Sequence, residues 1–211
     1  MYTHKSGVRL RKIERTDLKA LLELKQESWW GTHNATFANM DDQQRWYDSL
    51  GCGTLVVIAE RKLDVVHDDW QTAVGVGIYS DIVWIGRSLR ISGSIYKQHR
   101  KDDIVKSAFA AGLDYAFEIL NMRRVEAEVL ETNVPAQRLE IDYLGFKVEG
   151  RKRKAVCKCG GYYDSIMLGI LREEWQSHPR VMGYGDSCNE NFSPFRAQAM
   201  AERFSRDLGS A

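Results

Sequence analysis

The sequence predicts a mixed α/β (α+β) domain: a mostly antiparallel, twisted sheet that contains a parallel pair, with helices on both faces. Three observations carry that prediction. Strand-like and helix-like patterns follow one another in the order β-α-α-β-β-β-α-β-α-β-β. The first half reads as a meander and the second half as βαβ connections, so antiparallel and parallel pairs must share one sheet. From Ser177 the composition turns rich in Gly, Ser and Asn and poor in apolar residues. That shift separates a domain of residues 1–176 from a C-terminal extension, 177–211.

Val8 to Ile13 alternates and reads as the first strand. Thr16 or Asp17 then caps a helix with Leu18, Leu21, Leu22 and Leu24 at helical spacing, which Ser28 to Asn34 breaks. Asp41 opens a short helix carrying Trp46, Tyr47 and Leu50. Leu55 to Ala59 is a buried strand, Lys62 to Thr72 a polar hairpin loop, and Ala73 to Tyr79 the next strand. Asp81 to Tyr96 reads as continuing strand, alternating from Leu89. An amphipathic helix spans Asp103 to Asn121, with Ile104, Ala108, Ala111, Tyr115 and Ile119 on one face. Arg124 to Leu130 is a strand. Pro135 opens the following helix, where its missing N–H costs nothing, and Gly145 ends it. Phe146 to Val148 and Tyr162 to Leu171 are the last strands, around a basic hairpin. Phe195 to Leu208 fits a terminal helix suited to packing or to a homodimer contact.

A net charge of +1 gives no global field toward nucleic acid or membrane. No apolar run is long enough to span a bilayer, and Met1 to Ser6 lacks the apolar core of a signal peptide. These features point to the cytoplasm. Cys157-Lys158-Cys159 is too tight for a zinc knuckle, and no His pair follows at finger spacing. Free thiols and no metal are expected.

Several motifs, each in its expected element, resemble the GNAT superfamily of N-acetyltransferases. They are Ile85-Gly86-Arg87-Ser88-Leu89-Arg90-Ile91-Ser92, Leu113-Asp114-Tyr115-Ala116-Phe117-Glu118, Arg124-Val125-Glu126-Ala127, Leu144-Gly145-Phe146-Lys147, Gly160-Gly161-Tyr162-Tyr163-Asp164 and Leu171-Arg172-Glu173-Glu174-Trp175. They are most similar to the branch that acetylates N-terminal alanines of ribosomal proteins, which also includes polyamine and other small-amine enzymes. The resemblance covers Val8 to Trp175. It implies direct transfer from acetyl-CoA, or another acyl-CoA, to a small-molecule or peptide amine. The central parallel pair would splay, one strand ending at Ile95-Tyr96 and the other starting at Arg124, and hold the pantetheine arm together with Asn133. The next helix N-terminus, from Gln98 through Arg100, Lys101 and Asp103 to Ile104, would bind pyrophosphate.

That loop departs from the pattern the resemblance implies, Gln/Arg-x-x-Gly-x-Gly/Ala. Gln98 is kept, but Lys101 and Asp103 replace small residues, and a Cβ there crowds a backbone–phosphate contact. Arg100, Lys101, His99 and Lys97 offer charge-assisted contacts instead. Asn133 also stands one residue further from Gly145-Phe146 than the pattern has it. The acid that protonates the leaving thiolate therefore falls on Ala136, Gln137, Glu140 or Ile141, with Tyr143 close in sequence. Asp164 is the best match to a family carboxylate. Glu27, Trp29, Trp30, His33 and Ser92 are candidates for the acceptor site; the two Trp rings suit a planar or cationic group. The run Arg151 to Lys154 is either a solvated turn or a contact for nucleic acid, a ribosomal surface or the 3′-phosphate of a cofactor. Two functions follow: an acyl-CoA-dependent N-acyltransferase, or the same fold without acetyl-CoA, modifying a nucleic acid or nucleotide from another donor or acting as a binding module.

Overall fold

The structure, a computed structural model, describes residues 1–33, 38–62 and 70–178. Met1–Trp175 pack as one unit. The expected terminal helix at Phe195 to Leu208 and Cys188 lie outside the described residues. Eight strands form one sheet: β1 (Tyr2–Thr3), β2 (Val8–Lys12), β3 (Leu55–Lys62), β4 (Trp70–Val83), β5 (Ser88–Ile95), β6 (Arg124–Leu130), β7 (Lys147–Lys158) and β8 (Gly161–Leu171). Their order is β1-β2-β3-β4-β5-β6-β8-β7. Every neighbouring pair is antiparallel except β5 and β6, which run parallel.

Two local readings need correction. The stretch read as one strand through Asp81 reverses at Trp84 to Arg87; Asp81 and Arg87 both take φ of 51°. Val83, Trp84 and Ile85 at this tip are exposed. Their residue types favour strands, so composition hid the turn. The basic run Arg151 to Lys154 lies inside β7, and the hairpin turns later, at Cys159 and Gly160, with φ of 48° and 78°. Before α1 (Leu18–Ser28), a 3₁₀ turn spans Arg15–Asp17, and the Asp17 carboxylate accepts the Glu14 N–H at 2.8 Å. Asp17 stands at the N-cap of α1 as its position suggests, but its carboxylate bonds back to Glu14 rather than into α1.

Helices cover both faces. α1 and α2 (Met40–Asp48) lie on one: Leu18, Leu21 and Leu24 pack with Ile13, Val56, Ile58 and Val76, and Trp46 and Tyr47 close the edge. Each buried leucine stabilises the fold by roughly 1.5–3 kcal/mol. α3 (Asp102–Asp114) lies on the other face. There the buried Tyr79 hydroxyl donates to the Gly112 carbonyl at 3.0 Å, and a Cβ on Gly93 would stand 3.2 Å from the Phe109 ring. Glycine in β5 lets this helix sit close to the sheet. Buried Asp114 accepts from Trp175 Nε1 at 2.6 Å and contacts His4 Nε2 at 2.7 Å, tying the N-terminal strands and the last helix, α5 (Arg172–Gln176), to α3.

Both helices that follow the parallel strands end in a wider π turn. α3 continues as one over Tyr115–Ile119, and α4 (Val134–Gln137) over Arg138–Tyr143. A π turn takes up one extra residue without breaking the helix. The second absorbs the residue counted in excess between Asn133 and Gly145, whose φ of 80° ends the helix as its position suggests.

Candidate active site

β5 and β6 pair only at Ser88–Arg124, Leu89–Val125 and Arg90–Glu126. Beyond Arg90 they part, so Ile91–Ile95 and Ala127–Leu130 face each other across an open wedge. On one face of the wedge lie α3 and α4, side by side, with Lys106 Nζ 5.1 Å from the Tyr143 ring centre. On the other lies the segment that follows α1, from Trp29 to His33.

The loop between β5 and α3 is folded onto itself. A 3₁₀ turn spans Lys97–His99. The N–H of Lys97 goes to Glu27 Oε2 at 3.1 Å, that of His99 to Tyr96 O, that of Arg100 to Lys97 O and that of Lys101 to His99 O. Ile104 and Val105 both donate to Lys101 O. These N–H groups are committed, so they form no open cradle for an anion. Arg100 is also engaged: its Nε donates to Ile95 O at 2.9 Å and its Nη2 to Ser28 Oγ at 3.0 Å. Lys97, Gln98, Lys101 and Asp103 are exposed, Tyr96 is half-buried and Ile104 is buried. His99 Nε2 is buried without a partner among the described residues.

The opposite side is knit by side chains. Alternation along β5, β6 and β8 puts Arg90, Ser92, Glu126, Glu128, Ser165 and Met167 on the face toward His33. His33 Nε2 meets Ser165 Oγ at 2.7 Å, and Ser165 Oγ donates to Glu128 Oε1 at 2.7 Å. With the one Ser165 proton committed, His33 must donate from Nε2, leaving Nδ1 as the basic nitrogen. Nδ1 has no partner among the described residues. Lys152 Nζ holds Glu128 Oε2 at 2.7 Å. Burial holds the His33 pKa below the ordinary histidine value; Glu128 opposes this, and Lys158, Lys152 and Arg90 add to it. Lys158 Nζ donates to the carbonyls of Trp29 and Trp30 at 2.7 and 2.8 Å, and both Trp side chains remain about half exposed.

Asn133 joins this segment to α4. Its Oδ1 accepts the Ala136 N–H at 3.3 Å, and its Nδ2 donates to Gly31 O at 3.3 Å. A Cβ on Gly31 would stand 2.8 Å from Asn133 Nδ2, so a side chain there would displace the Asn133 amide. Glu140 lies in the π turn with Oε2 buried and unpartnered among the described residues; burial pushes its pKa up to about 8. Asp164 alternates to the face opposite Ser165. Its carboxylate accepts the Lys154 N–H and Arg151 Nη1, and with Glu131, Arg153 and Lys154 it lines an open cleft of about 630 Å³. The structure therefore brings together His33, Trp29, Trp30 and Ser92. It leaves Asp164 apart, and gives Glu27 to the Lys97 N–H.

The acetyltransferase (GNAT) domain pattern matches residues 8–147. The chain belongs to the GNAT acetyltransferase family. Among relatives, the spermidine N(1)-acetyltransferase of Vibrio cholerae is 26% identical over 174 residues, 81% of this chain and 96% of that protein. An uncharacterized N-acetyltransferase from the SPbeta prophage of Bacillus subtilis is 32% identical over 83 residues, 39% of this chain and 46% of that protein. The solved structure of the Vibrio cholerae spermidine N-acetyltransferase with CoA and spermine superposes with a TM-score of 0.73. It is 21% identical and covers 82% of this chain and all of that one, which establishes the shared fold.

Relative to this GNAT frame, the sequence pattern missed Ser165, Glu128 and Lys152 as members of the site. A signal was present: Glu126 and Glu128 alternate on a central strand, and a central strand with one polar face borders either solvent or a site. Cys52, Cys157 and Cys159 are exposed free thiols. Among the described residues no helix is long and apolar enough to cross a membrane.

Proposed function

We propose that this chain is an N-acyltransferase that moves an acyl group, acetyl in the simplest case, from an acyl-CoA to a primary amine of a small molecule. The observation that carries this reading is the β5–β6 wedge with the His33–Ser165–Glu128 chain along one side. The amine attacks the thioester carbonyl; a C–N bond forms, the C–S bond breaks, the amine loses a proton and the thiolate gains one. His33 suits the first proton. It is neutral at pH 7 because its pKa is lowered, its free Nδ1 is the acceptor, and Ser165 and Glu128 fix the ring. Glu140 suits the second, being a carboxyl group held protonated near neutral pH on the helix that follows β6.

The wedge suits an extended pantetheine arm, whose amides would meet the β5 edge between Ile91 and Ile95, where Arg100 already holds the Ile95 carbonyl, and the backbone beside Asn133. A backbone-held pyrophosphate has less support in this loop, because the N–H groups of Lys97, His99, Arg100 and Lys101 are committed. Side chains of Lys97, Gln98 and Lys101 would carry that charge instead. The match to a spermidine enzyme over 96% of its length supports a small amine rather than a ribosomal-protein terminus as acceptor. A nucleic-acid acceptor has less support: Arg151 is paired with Glu131 and Asp164, and Lys152 with Glu128. The closed loop does favour one second reading, in which the fold uses a donor other than CoA.

Titration calorimetry with acetyl-CoA and with CoA, followed by thiol release with a panel of amines, tests the proposal. Binding in the micromolar range with amine-dependent thiol release is expected. No binding at millimolar acetyl-CoA would overturn it in favour of another donor.

A further inference from the structure

The face of the wedge where an acceptor would lie carries the wrong charge for a polyamine. Three cations, Arg90, Lys152 and Lys158, act on His33 against one carboxylate, Glu128. That carboxylate is already satisfied by Lys152 and Ser165, each at 2.7 Å. The other acidic groups around the wedge are also bonded: Glu126 to Arg124, Glu27 to the Lys97 N–H, Glu131 to the Asp164 N–H and Arg151. Lys152 is itself paired with Glu128 and Arg90 with Asp81, which leaves Lys158 as a cation with no carboxylate partner among the described residues, so a chain of ammonium groups entering here would meet a net positive charge.

The cations are placed differently from one another. Arg90 sits at the apex of the wedge, at the last position where β5 still pairs with β6. Its Nη1 meets Asp81 at 3.1 Å, and its side chain is 40% exposed. Lys158 spends two of its three donors on the Trp29 and Trp30 carbonyls and keeps its charge beneath the exposed rings. Lys158 is buried and keeps one donor, and Arg90 is partly exposed on the face that carries His33; these are the donors left for an acidic group.

We propose that the acceptor is an amine that carries its own anionic group, a carboxylate or a phosphate, with Arg90 and Lys158 holding the anion. This inference rests on the transferase reading and narrows its acceptor. It separates the chain from the polyamine specificity named for its Vibrio cholerae relative.

The experiment compares kcat/KM for spermidine, L-glutamate and O-phosphoethanolamine with acetyl-CoA as donor. The same amines are titrated into the protein without donor while the ring signals of His33 are followed by NMR. At least one anion-bearing amine is expected to exceed spermidine about tenfold in kcat/KM, equivalent to about 1.4 kcal/mol. The glutamate and phosphoethanolamine arms then tell carboxylate from phosphate. Arg90→Glu is expected to reverse the order toward spermidine. Spermidine preferred by the unaltered protein, an unchanged ratio in Arg90→Glu, or no anion-bearing amine perturbing His33 would each overturn the inference. If those amines perturb His33 but none is acetylated, the transferase reading fails and the anion preference stands.

Discussion

The two sides of the β5–β6 wedge are built on opposite principles. Toward α1, side chains do the bonding: His33, Ser165, Glu128 and Lys152 form one connected chain, and Lys158 holds two backbone carbonyls. Toward α3 and α4, the loop backbone bonds to itself, while two buried side-chain atoms, His99 Nε2 and Glu140 Oε2, have no partner among the described residues. A connected polar network holds a geometry ready for chemistry. Buried polar atoms without partners cost free energy until something satisfies them. The contrast teaches that replacing glycine at a phosphate loop does more than crowd a ligand. In this loop, with side chains at Lys101 and Asp103, a 3₁₀ turn takes up the N–H groups of His99, Arg100 and Lys101, and Glu27 takes that of Lys97.

The largest expected effect breaks the satisfied side. His33→Ala should lower kcat by about 10²–10³, the scale of a positioned general base. Ser165→Ala should cost less and should not add to His33→Ala, because the two act as one unit. Steady-state rates of thiol release for the two single variants and the double variant check this. Independent, additive losses would mean that no proton path runs through the chain.

Next comes Glu140, on the unsatisfied side. Its folded pKa, about 8, lies above the ordinary value of 4.5, so the folded state binds its proton more tightly than the unfolded state does. The stability this gives is fully present below about pH 4.5 and is lost as pH rises toward 8. Glu140→Gln should remove that loss and raise stability at pH 8 by about 1–3 kcal/mol, discounted for the partial exposure of the residue. Urea unfolding at pH 5 and pH 8 measures it. If the same variant also lowers kcat, the group serves chemistry at the expense of stability.

Much of the wedge was legible in the sequence because it depends on periodicity. Arg124 to Leu130, the Pro135 helix start and the Gly145 stop all stand where their local patterns put them. The acceptor side was only half legible. Trp29, Trp30 and His33 stand in an evident helix break, but Ser165 lies 132 residues away and joins them only through strand order. The turn at Trp84 to Arg87 escaped because β-branched and aromatic residues fill it. The form of the loop between β5 and α3 was not legible, since backbone hydrogen bonds leave no mark on residue identity.

Restoring small residues to that loop should make the two sides more alike. Lys101→Gly with Asp103→Gly is expected to tighten CoA binding about tenfold, close to 1.4 kcal/mol, by letting the loop open its N–H groups to the pyrophosphate. Calorimetry with CoA reads the change directly. Weaker binding would show that the Lys101 ammonium contributes more than the backbone could, and the side-chain grip would be the working design.

The smallest effect tests how the satisfied side sets its proton affinity. Burial lowers the His33 pKa first; Lys158, Lys152 and Arg90 lower it further, and Glu128 pulls it up. Lys152→Gln removes one lowering charge and also leaves Glu128 freer to act on the ring. Both changes favour the imidazolium, so the His33 pKa should rise. The neutral ring is the active form, so the acid limb of the kcat/KM profile should move to higher pH by the same amount, with the high-pH plateau kept. A limb that stays in place while the plateau falls would assign Lys152 to acceptor binding rather than to the field around His33. A limb that moves to lower pH would overturn the assignment, because removing Lys152 raises the proton affinity of His33 and of Glu128 alike.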